Sequence, residues 1–101
     1  MSPLAERLAE IVRQLGEGEV VSYGDIAEDA GFPGRSRAVG HLLASTDEPL
    51  PWWRVVNSLG RLVPGHEAEQ AARLRSEGVT VRDNRVVAAP FGRFSSRRAR
   101  P

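Results

Sequence analysis

Two adjacent tryptophans constrain this chain more than any other feature. They lie at residues 51–56, which read Pro-Trp-Trp-Arg-Val-Val. We predict that this run is extended, and in a strand successive side chains face opposite sides. A chain of 101 residues forms one domain with a single modest core. Both rings cannot enter that core, so at least one should line a pocket or a binding surface.

Composition excludes several classes of function. The sequence has no cysteine, which excludes disulfides, zinc ribbons and a thiol nucleophile. Two histidines, His41 and His66, lack a nearby acidic cluster, so we expect no metal site, and nothing predicts a cofactor. No apolar stretch is long enough to span a membrane, and the N-terminus has no signal-peptide pattern. We therefore expect a cytoplasmic monomer with no membrane partner, nucleoid-associated if bacterial.

The positive charge is concentrated at the C-terminus. All fourteen basic residues are arginine, against thirteen acids. Four of the arginines lie in the last nine residues, so residues 1–92 carry a net charge of −3. This pattern predicts a folded domain at residues 1–89 and a basic, disordered tail at residues 90–101. A nucleic-acid role would depend on local placement of charge rather than on bulk charge.

Capping residues and apolar spacing predict four helices. A Ser-Pro pair at residues 2–3 begins the first, and Ser22 caps the second. Ser36 should cap a third helix after a turn that contains glycine and proline, and residues 66–76 should form the fourth. The short second and third helices, joined by a tight turn, are typical of a helix-turn-helix.

Short apolar runs predict two hairpins. Residues 61–63 should pair back on residues 52–56, and residues 79–81 should pair with residues 85–87 across Asp83-Asn84. The fold class predicted is mainly α with small β-hairpins, a winged-helix-like helix-turn-helix domain.

The third helix has a surface suited to a nucleic-acid groove. Ser36, Ala38 and Gly40 are small, and Arg37 projects alone among them. A glycine inside a helix costs roughly 1 kcal/mol relative to alanine. It either permits close approach to DNA or packs under Trp52 or the first helix. Arg37 either enters the base stack or is an ordinary solvated residue.

Three aromatic rings are candidate ligand contacts. Tyr23, directly after the cap of the second helix, could meet a phosphate beside the helix amides, or be a half-buried ring with its hydroxyl in water. Trp52 and Trp53 offer faces on which an extruded base could stack, although either could instead belong to the core or the hairpin. Arg54, between Trp53 and two valines, could form a buried ion pair with Glu69 or Glu77.

Four segments of the chain, taken in order, carry a family resemblance. They are Glu19-Val20-Val21-Ser22-Tyr23-Gly24-Asp25-Ile26-Ala27, Gly31-Phe32-Pro33, Arg37-Ala38-Val39-Gly40 and Pro51-Trp52-Trp53-Arg54-Val55-Val56-Asn57-Ser58-Leu59-Gly60. Their order and spacing, over about residues 4–78, resemble the DNA-binding domain of O6-alkylguanine-DNA alkyltransferases. In those enzymes a cysteine at the position of Trp52 accepts the alkyl group. The substitution is the mark of alkyltransferase-like proteins, which bind alkylated guanine without repairing it.

The resemblance implies a role for each matched residue. Arg37 matches the finger that replaces the flipped base in the stack, and Tyr23 matches the tyrosine that rotates the nucleotide out. The small residues Ser36, Ala38 and Gly40 match those that let the recognition helix enter the minor groove.

The lesion pocket follows from the same resemblance. Trp52 should line it, with Trp53 beside it where the family has histidine. Val63, Pro64 and Gly65 match the loop over the pocket. The loop at residues 44–51 is about two residues shorter than in the enzymes, and the arginine-rich tail has no counterpart in the core motif.

Together these features predict a non-enzymatic sensor of O6-alkylguanine in double-stranded DNA. It would flip the lesion and flag it for nucleotide excision repair proteins. Dealkylation needs a thiolate, so a residual enzyme is disfavoured. Two different functions are also compatible with the sequence: a helix-turn-helix transcription regulator without lesion specificity, and a protein-interaction module that has lost DNA binding.

Overall fold

The computed structural model describes residues 2–96. It is mainly helical, with short strands, as predicted. The helices are α1 (Pro3–Arg13), α2 (Tyr23–Asp29), α3 (Ser36–Ser45) and α4 (Glu67–Ser76), with a 3₁₀ turn at Trp52–Arg54; the strands are β1 (Glu19–Ser22), β2 (Val55–Val56), β3 (Thr80–Arg82), β4 (Arg85–Ala88) and β5 (Phe91–Gly92). No helix within residues 2–96 has the length and apolar character needed to cross a membrane.

Side-chain caps begin the first two helices as predicted. Ser2 accepts a hydrogen bond from the amide of Ala5, with Pro3 in the first turn of α1. Ser22 and Asp25 form a reciprocal capping box at the start of α2. The predicted cap of α3 is wrong, because Ser36 is already its first helical residue.

The cap position of α3 falls to Arg35, whose side chain makes no capping bond. The Arg35 amide donates to the carbonyl of Phe32, and Gly34 has a φ of +86°. Because this glycine turns the chain sharply, the helical conformation begins one residue earlier than the serine suggested.

Strand β1 separates two hydrophobic clusters. It is the central strand of a three-stranded parallel sheet, in the order β2-β1-β5. Val21 packs with α1, α2 and α3 in one cluster, whereas Val20 packs with α4 and the β3–β4 hairpin in the other. Val55 and Val56 divide between the clusters in the same way. The alternation of side chains along a strand thus holds the helix-turn-helix against the C-terminal half.

The prediction for residues 51–63 is partly wrong. Trp52–Arg54 is a 3₁₀ turn, and only Val55–Val56 is a strand. This strand pairs in parallel with β1 rather than with residues 61–63. In this pairing Val55 and Val56 fill both clusters and are fully buried. Arg61 instead forms an isolated bridge to Arg85.

The second predicted hairpin is confirmed as β3–β4. Its two turn residues, Asp83 and Asn84, both have positive φ, of 54° and 59°. This is the conformation of a two-residue hairpin turn whose twist matches that of the strands, and Asp and Asn tolerate it well.

The prediction of a tail from residue 90 is wrong for residues 90–96. Phe91 pairs with Glu19, and the amide of Arg93 donates to the carbonyl of Val20. A Cβ at Gly92 would lie 2.4 Å from that carbonyl oxygen, so only glycine allows this approach. A two-residue strand among polar residues has too short a pattern to be recognised. Residues 97–101 of the predicted tail lie outside the described residues.

Candidate nucleic-acid interface

The N-terminal half of α3 forms an exposed surface of small residues. Ser36 and Arg37 are exposed, whereas Ala38 is half-buried against the first cluster. Within residues 2–96, the Arg37 side chain makes no hydrogen bond or ion pair, so the fold does not hold it in place. An arginine of this kind is available to an external ligand.

A cavity of about 330 Å³ opens beside this surface. Its wall comes from α2, α3, the 3₁₀ turn and the start of α4. The lining residues are Tyr23, Gly40, Leu43, Ala44, Trp52, Val63, His66 and Glu69. Four of the predicted site residues are thereby brought together: Tyr23, Gly40, Trp52 and Val63.

Gly40 keeps the mouth of this cavity open. A Cβ at this position would meet no atom within 4 Å. Gly40 therefore does not pack under Trp52 or the first helix, which was one of its two interpretations from the sequence. Because its cost of about 1 kcal/mol to the helix is not offset by internal packing, the glycine is explained better by the space that it leaves for a ligand.

Tyr23 begins α2 and lies at the cavity wall. Its ring is half-buried against the first cluster. Burial raises the pKa of the Tyr23 hydroxyl above its ordinary value, because a phenolate would lose hydration there. The hydroxyl is thus protonated at neutral pH and can donate a hydrogen bond, for example to a phosphate oxygen.

Trp52 forms an aromatic corner with two neighbouring rings. The ring of His66 meets it edge-on, with centroids 5.8 Å apart and planes at 66°. Trp53 lies on another side, with centroids 6.2 Å apart and planes at 89°. Such edge-to-face pairs are favourable for aromatic rings, and Trp52 and His66 both line the cavity.

Trp53, which the sequence predicted to line the lesion pocket beside Trp52, does not line this cavity. Arg54 and Arg73 place their guanidinium carbons 5.2 Å and 4.5 Å from the centre of its ring. Its Nε1 donates to Oε2 of Glu77 at 2.9 Å. The ring packs against the second cluster and supports Trp52 through their edge-to-face contact.

Glu77 joins this wall to the rest of the fold. Its Oε2 accepts from Nη2 of Arg54 at 2.7 Å, and its Oε1 accepts from the amide of Gly18 at 2.9 Å. Arg54 in turn donates to the carbonyl of Leu15 at 2.9 Å. Of the two ion-pair partners that the sequence left open for Arg54, the structure has Glu77. Burial alone would raise the pKa of Glu77, but the hydrogen bonds from Arg54, Gly18 and Trp53 outweigh it, so the pKa is lowered.

The loop after residue 62 contributes less to the cavity than predicted. Val63 lines the cavity, and its amide donates to Oε1 of the buried Gln70 at 2.7 Å. Nε2 of Gln70 donates to the carbonyl of Trp53 at 3.1 Å, which fixes the loop to the tryptophan segment. Pro64 and Gly65 are exposed and do not line the cavity, because Gly65, with a φ of +86°, turns the chain toward α4.

Sequence reasoning missed four lining residues. Leu43 and Ala44 follow Gly40 at spacings of three and four, and Glu69 follows His66 at a spacing of three. These spacings place residues on one face of a helix, so the signal was present. In the sequence, nothing distinguishes His66 from an ordinary surface residue. Within residues 2–96, no three His, Asp or Glu side chains are arranged to hold a metal ion.

Known proteins are similar to this chain in sequence and fold. A DNA base-flipping protein of Vibrio parahaemolyticus is 40% identical over 75 residues, which are 70% of this chain and 75% of that protein. Alkyltransferase-like protein 1 of Schizosaccharomyces pombe is 34% identical over 89 residues, which are 80% of this chain and 81% of that protein. A crystal structure of S. pombe Atl1 in complex with damaged DNA containing O6-carboxymethylguanine matches with a TM-score of 0.73 and 31% identity, over 81% of this chain and 82% of that one.

The family model described as 6-O-methylguanine DNA methyltransferase, DNA binding domain, matches residues 3–79. Because this match spans well over half of the sequence, the chain belongs to that family, and within it the chain is similar to the alkyltransferase-like proteins.

Proposed function

We propose that this protein recognises O6-alkylguanine in duplex DNA and holds it without removing the alkyl group. The observation that carries the proposal is the cavity beside α3, which has an aromatic wall at Trp52 and a mouth opened by Gly40. Its volume of about 330 Å³ is near the lower end of small-ligand pockets. A flipped base would stack on Trp52, an interaction worth about 1–3 kcal/mol.

The helix-turn-helix would bring the duplex to this cavity. With its small exposed residues, α3 would enter the minor groove, and Arg37 would fill the space that the flipped base leaves. Tyr23 would donate to the phosphate of the rotated nucleotide. Flipping costs a few kcal/mol and less for a poorly paired base, so an O6-alkylguanine is favoured before it contacts the cavity.

Alkyl transfer is not part of the proposal. The 101 residues contain no cysteine, and an indole at position 52 has no nucleophilic atom comparable with a thiolate. A stable complex would mark the lesion for another pathway, and the resemblance favours nucleotide excision repair. We further propose that the protein acts as a monomer in the cytoplasm, associated with the nucleoid if its source is bacterial.

Equilibrium binding to two duplexes tests the proposal. They differ in a single O6-methylguanine, and the salt concentration is fixed because phosphate contacts depend on it. We expect tighter binding to the modified duplex, with the methyl group still present by mass spectrometry after incubation. Equal affinities would favour a sequence-reading regulator, and loss of the methyl group would refute a non-enzymatic role.

Two arginines of the same turn provide matched variants. Arg37→Ala should weaken binding to both duplexes, because the finger is needed wherever the helix enters the groove. Arg35→Ala removes the same charge from an exposed site two residues earlier and should have a smaller effect. Equal losses of affinity in the two variants would indicate that Arg37 makes only a general phosphate contact.

A further inference from the structure

Among residues 2–96, one acidic side chain lines the cavity. Glu69 lies in the first turn of α4, three residues after the cap residue His66, which also lines the cavity. The other lining residues are aromatic, aliphatic or glycine apart from His66. A ligand group that reaches this part of the wall therefore meets a carboxylate.

The ion pair with Arg73 leaves one carboxylate oxygen of Glu69 available to other ligands. Oε2 accepts from Nε and Nη2 of Arg73, at 3.1 Å and 3.0 Å. Within residues 2–96, Oε1 accepts no hydrogen bond. The Arg73 guanidinium lies 4.5 Å from the centre of the Trp53 ring and does not line the cavity. Of the two ion-paired residues, only Glu69 lines the cavity.

The partial positive charge at the N-terminus of α4 does not cancel the negative charge of Glu69. Two acids, Glu67 and Glu69, occupy its first turn, where carboxylates offset the partial positive charge of a helix N-terminus. Glu67 is turned back to the loop, since its Oε1 accepts from the amide of Gly65. Of the two carboxylates in this turn, Glu69 is therefore the one that lines the cavity.

We propose that Glu69 makes the cavity select against O6-alkylguanines whose substituent carries a negative charge. This inference rests on the proposed function and specifies the ligand class of the same cavity. Neutral substituents, including those that donate a hydrogen bond, would be accepted because Oε1 of Glu69 is available to them. Anionic substituents would meet a like charge, and solvent reduces the repulsion because the Glu69 side chain is 55% exposed.

A pair of matched lesions tests the charge dependence. O6-carboxymethylguanine and O6-carbamoylmethylguanine have the same number of heavy atoms and differ in charge. Each is placed in one duplex sequence, with guanine and O6-methylguanine as references, and affinities are measured by fluorescence anisotropy at one fixed pH and salt concentration. We expect the neutral amide to bind about threefold to tenfold more tightly than the carboxylate, the range for like charges about 6 Å apart at an effective dielectric constant of about 40–80, close to that of water.

Two glutamate variants assign the effect to its residue. Glu69→Gln should reduce the ratio of the two affinities to less than about twofold, or reverse it, because Arg73 is then unpaired. Glu10→Gln is the matched control, since Glu10 also pairs with an arginine on an exposed helix face, Arg7, away from the cavity. It should leave the ratio unchanged.

The outcomes separate this inference from the proposed function. Tighter binding to O6-methylguanine than to guanine supports the proposed function, whatever the relative affinities of the amide and carboxylate lesions. Equal affinities for the amide and the carboxylate, or a gap that persists in Glu69→Gln, would overturn the role of Glu69 alone. Equal affinities for all four duplexes would overturn the proposed function and this inference together.

Discussion

Replacing Glu77 with glutamine should destabilise the fold more than any other single charge removal in α4 or its cap. The Glu77 carboxylate accepts from Arg54, from the indole of Trp53 and from the amide of Gly18. The side chains of Arg54 and Glu77 are only 15% and 9% exposed. Glutamine would keep one acceptor, lose the charge, and turn an NH2 group toward groups that are themselves donors.

The magnitude follows from leaving a guanidinium in place without its counter-ion. Removing one partner of a buried ion pair costs about 3–5 kcal/mol. Because the Arg54 side chain keeps some contact with water and a bond to the carbonyl of Leu15, we expect about 3 kcal/mol. For a domain of this size, with a urea dependence of about 1 kcal/mol per M, the unfolding midpoint should fall by about 3 M.

Urea unfolding followed by tryptophan fluorescence and by circular dichroism measures this change. Glu69→Gln is the matched control, because it removes the same charge from the same helix. Its partner is Arg73, and the two side chains are 55% and 46% exposed, so it should cost less than about 1 kcal/mol. A Glu77→Gln midpoint as close to the unmodified protein as that of the control would refute the reasoning.

Acid titration gives an independent check on Glu77. Its pKa is lowered in the folded protein, whereas in the unfolded chain a glutamate titrates near its ordinary value of about 4.3. The stabilisation is thus present above about pH 4.3 and is lost as the pH falls through the folded pKa. The fall in unfolding free energy below about pH 4.3 should be shallower in Glu77→Gln. An identical acid profile would mean that other carboxylates dominate.

Three further changes test the site. Gly40→Ala should raise the free energy of unfolding by about 1 kcal/mol, since the added Cβ meets no atom, yet weaken binding of a lesion duplex; a loss of stability would contradict the open cavity mouth. Trp53→Phe should weaken lesion binding severalfold, because the hydrogen bond to Glu77 is lost; unchanged binding would mean that Trp53 does not support the cavity wall. Trp52→Ala should abolish the preference for a lesion while leaving affinity for undamaged duplex within about twofold, measured by anisotropy.

Local signals in the sequence predicted the helices well. The caps at Ser2 and Ser22 and the positive-φ turn at Asp83-Asn84 act over three or four residues, so their chemistry can be recognised without knowing the fold. The parallel pairing of Val55 with Val21 depends on which cluster each valine fills. That information lies in contacts between distant residues, and the nearby run at residues 61–63 provided a misleading local partner.

The residues of the site also divide into those that were recognised from the sequence and those that only the fold brings to the cavity. Gly40 and Trp52 were recognised from local oddity and from resemblance, whereas His66 and Glu69 are ordinary helix residues in the sequence. They line the cavity because the fold brings the start of α4 next to the tryptophan segment, where Gln70 bonds both the amide of Val63 and the carbonyl of Trp53. The polarity of a pocket wall is therefore less predictable than its aromatic part, since it depends on where a second helix begins.

The placement of Trp53 gives a physical reason for two adjacent tryptophans. A 3₁₀ turn, unlike a strand, does not send successive side chains to opposite faces, and the two rings meet at 89° instead. Trp53 is held by a hydrogen bond from its indole and by two guanidinium groups. It therefore supports one side of the Trp52 ring, and His66 contacts the same ring as well. A stacking surface that is already ordered loses less conformational entropy on binding, so Glu77 should contribute to lesion affinity as well as to stability although it does not line the cavity.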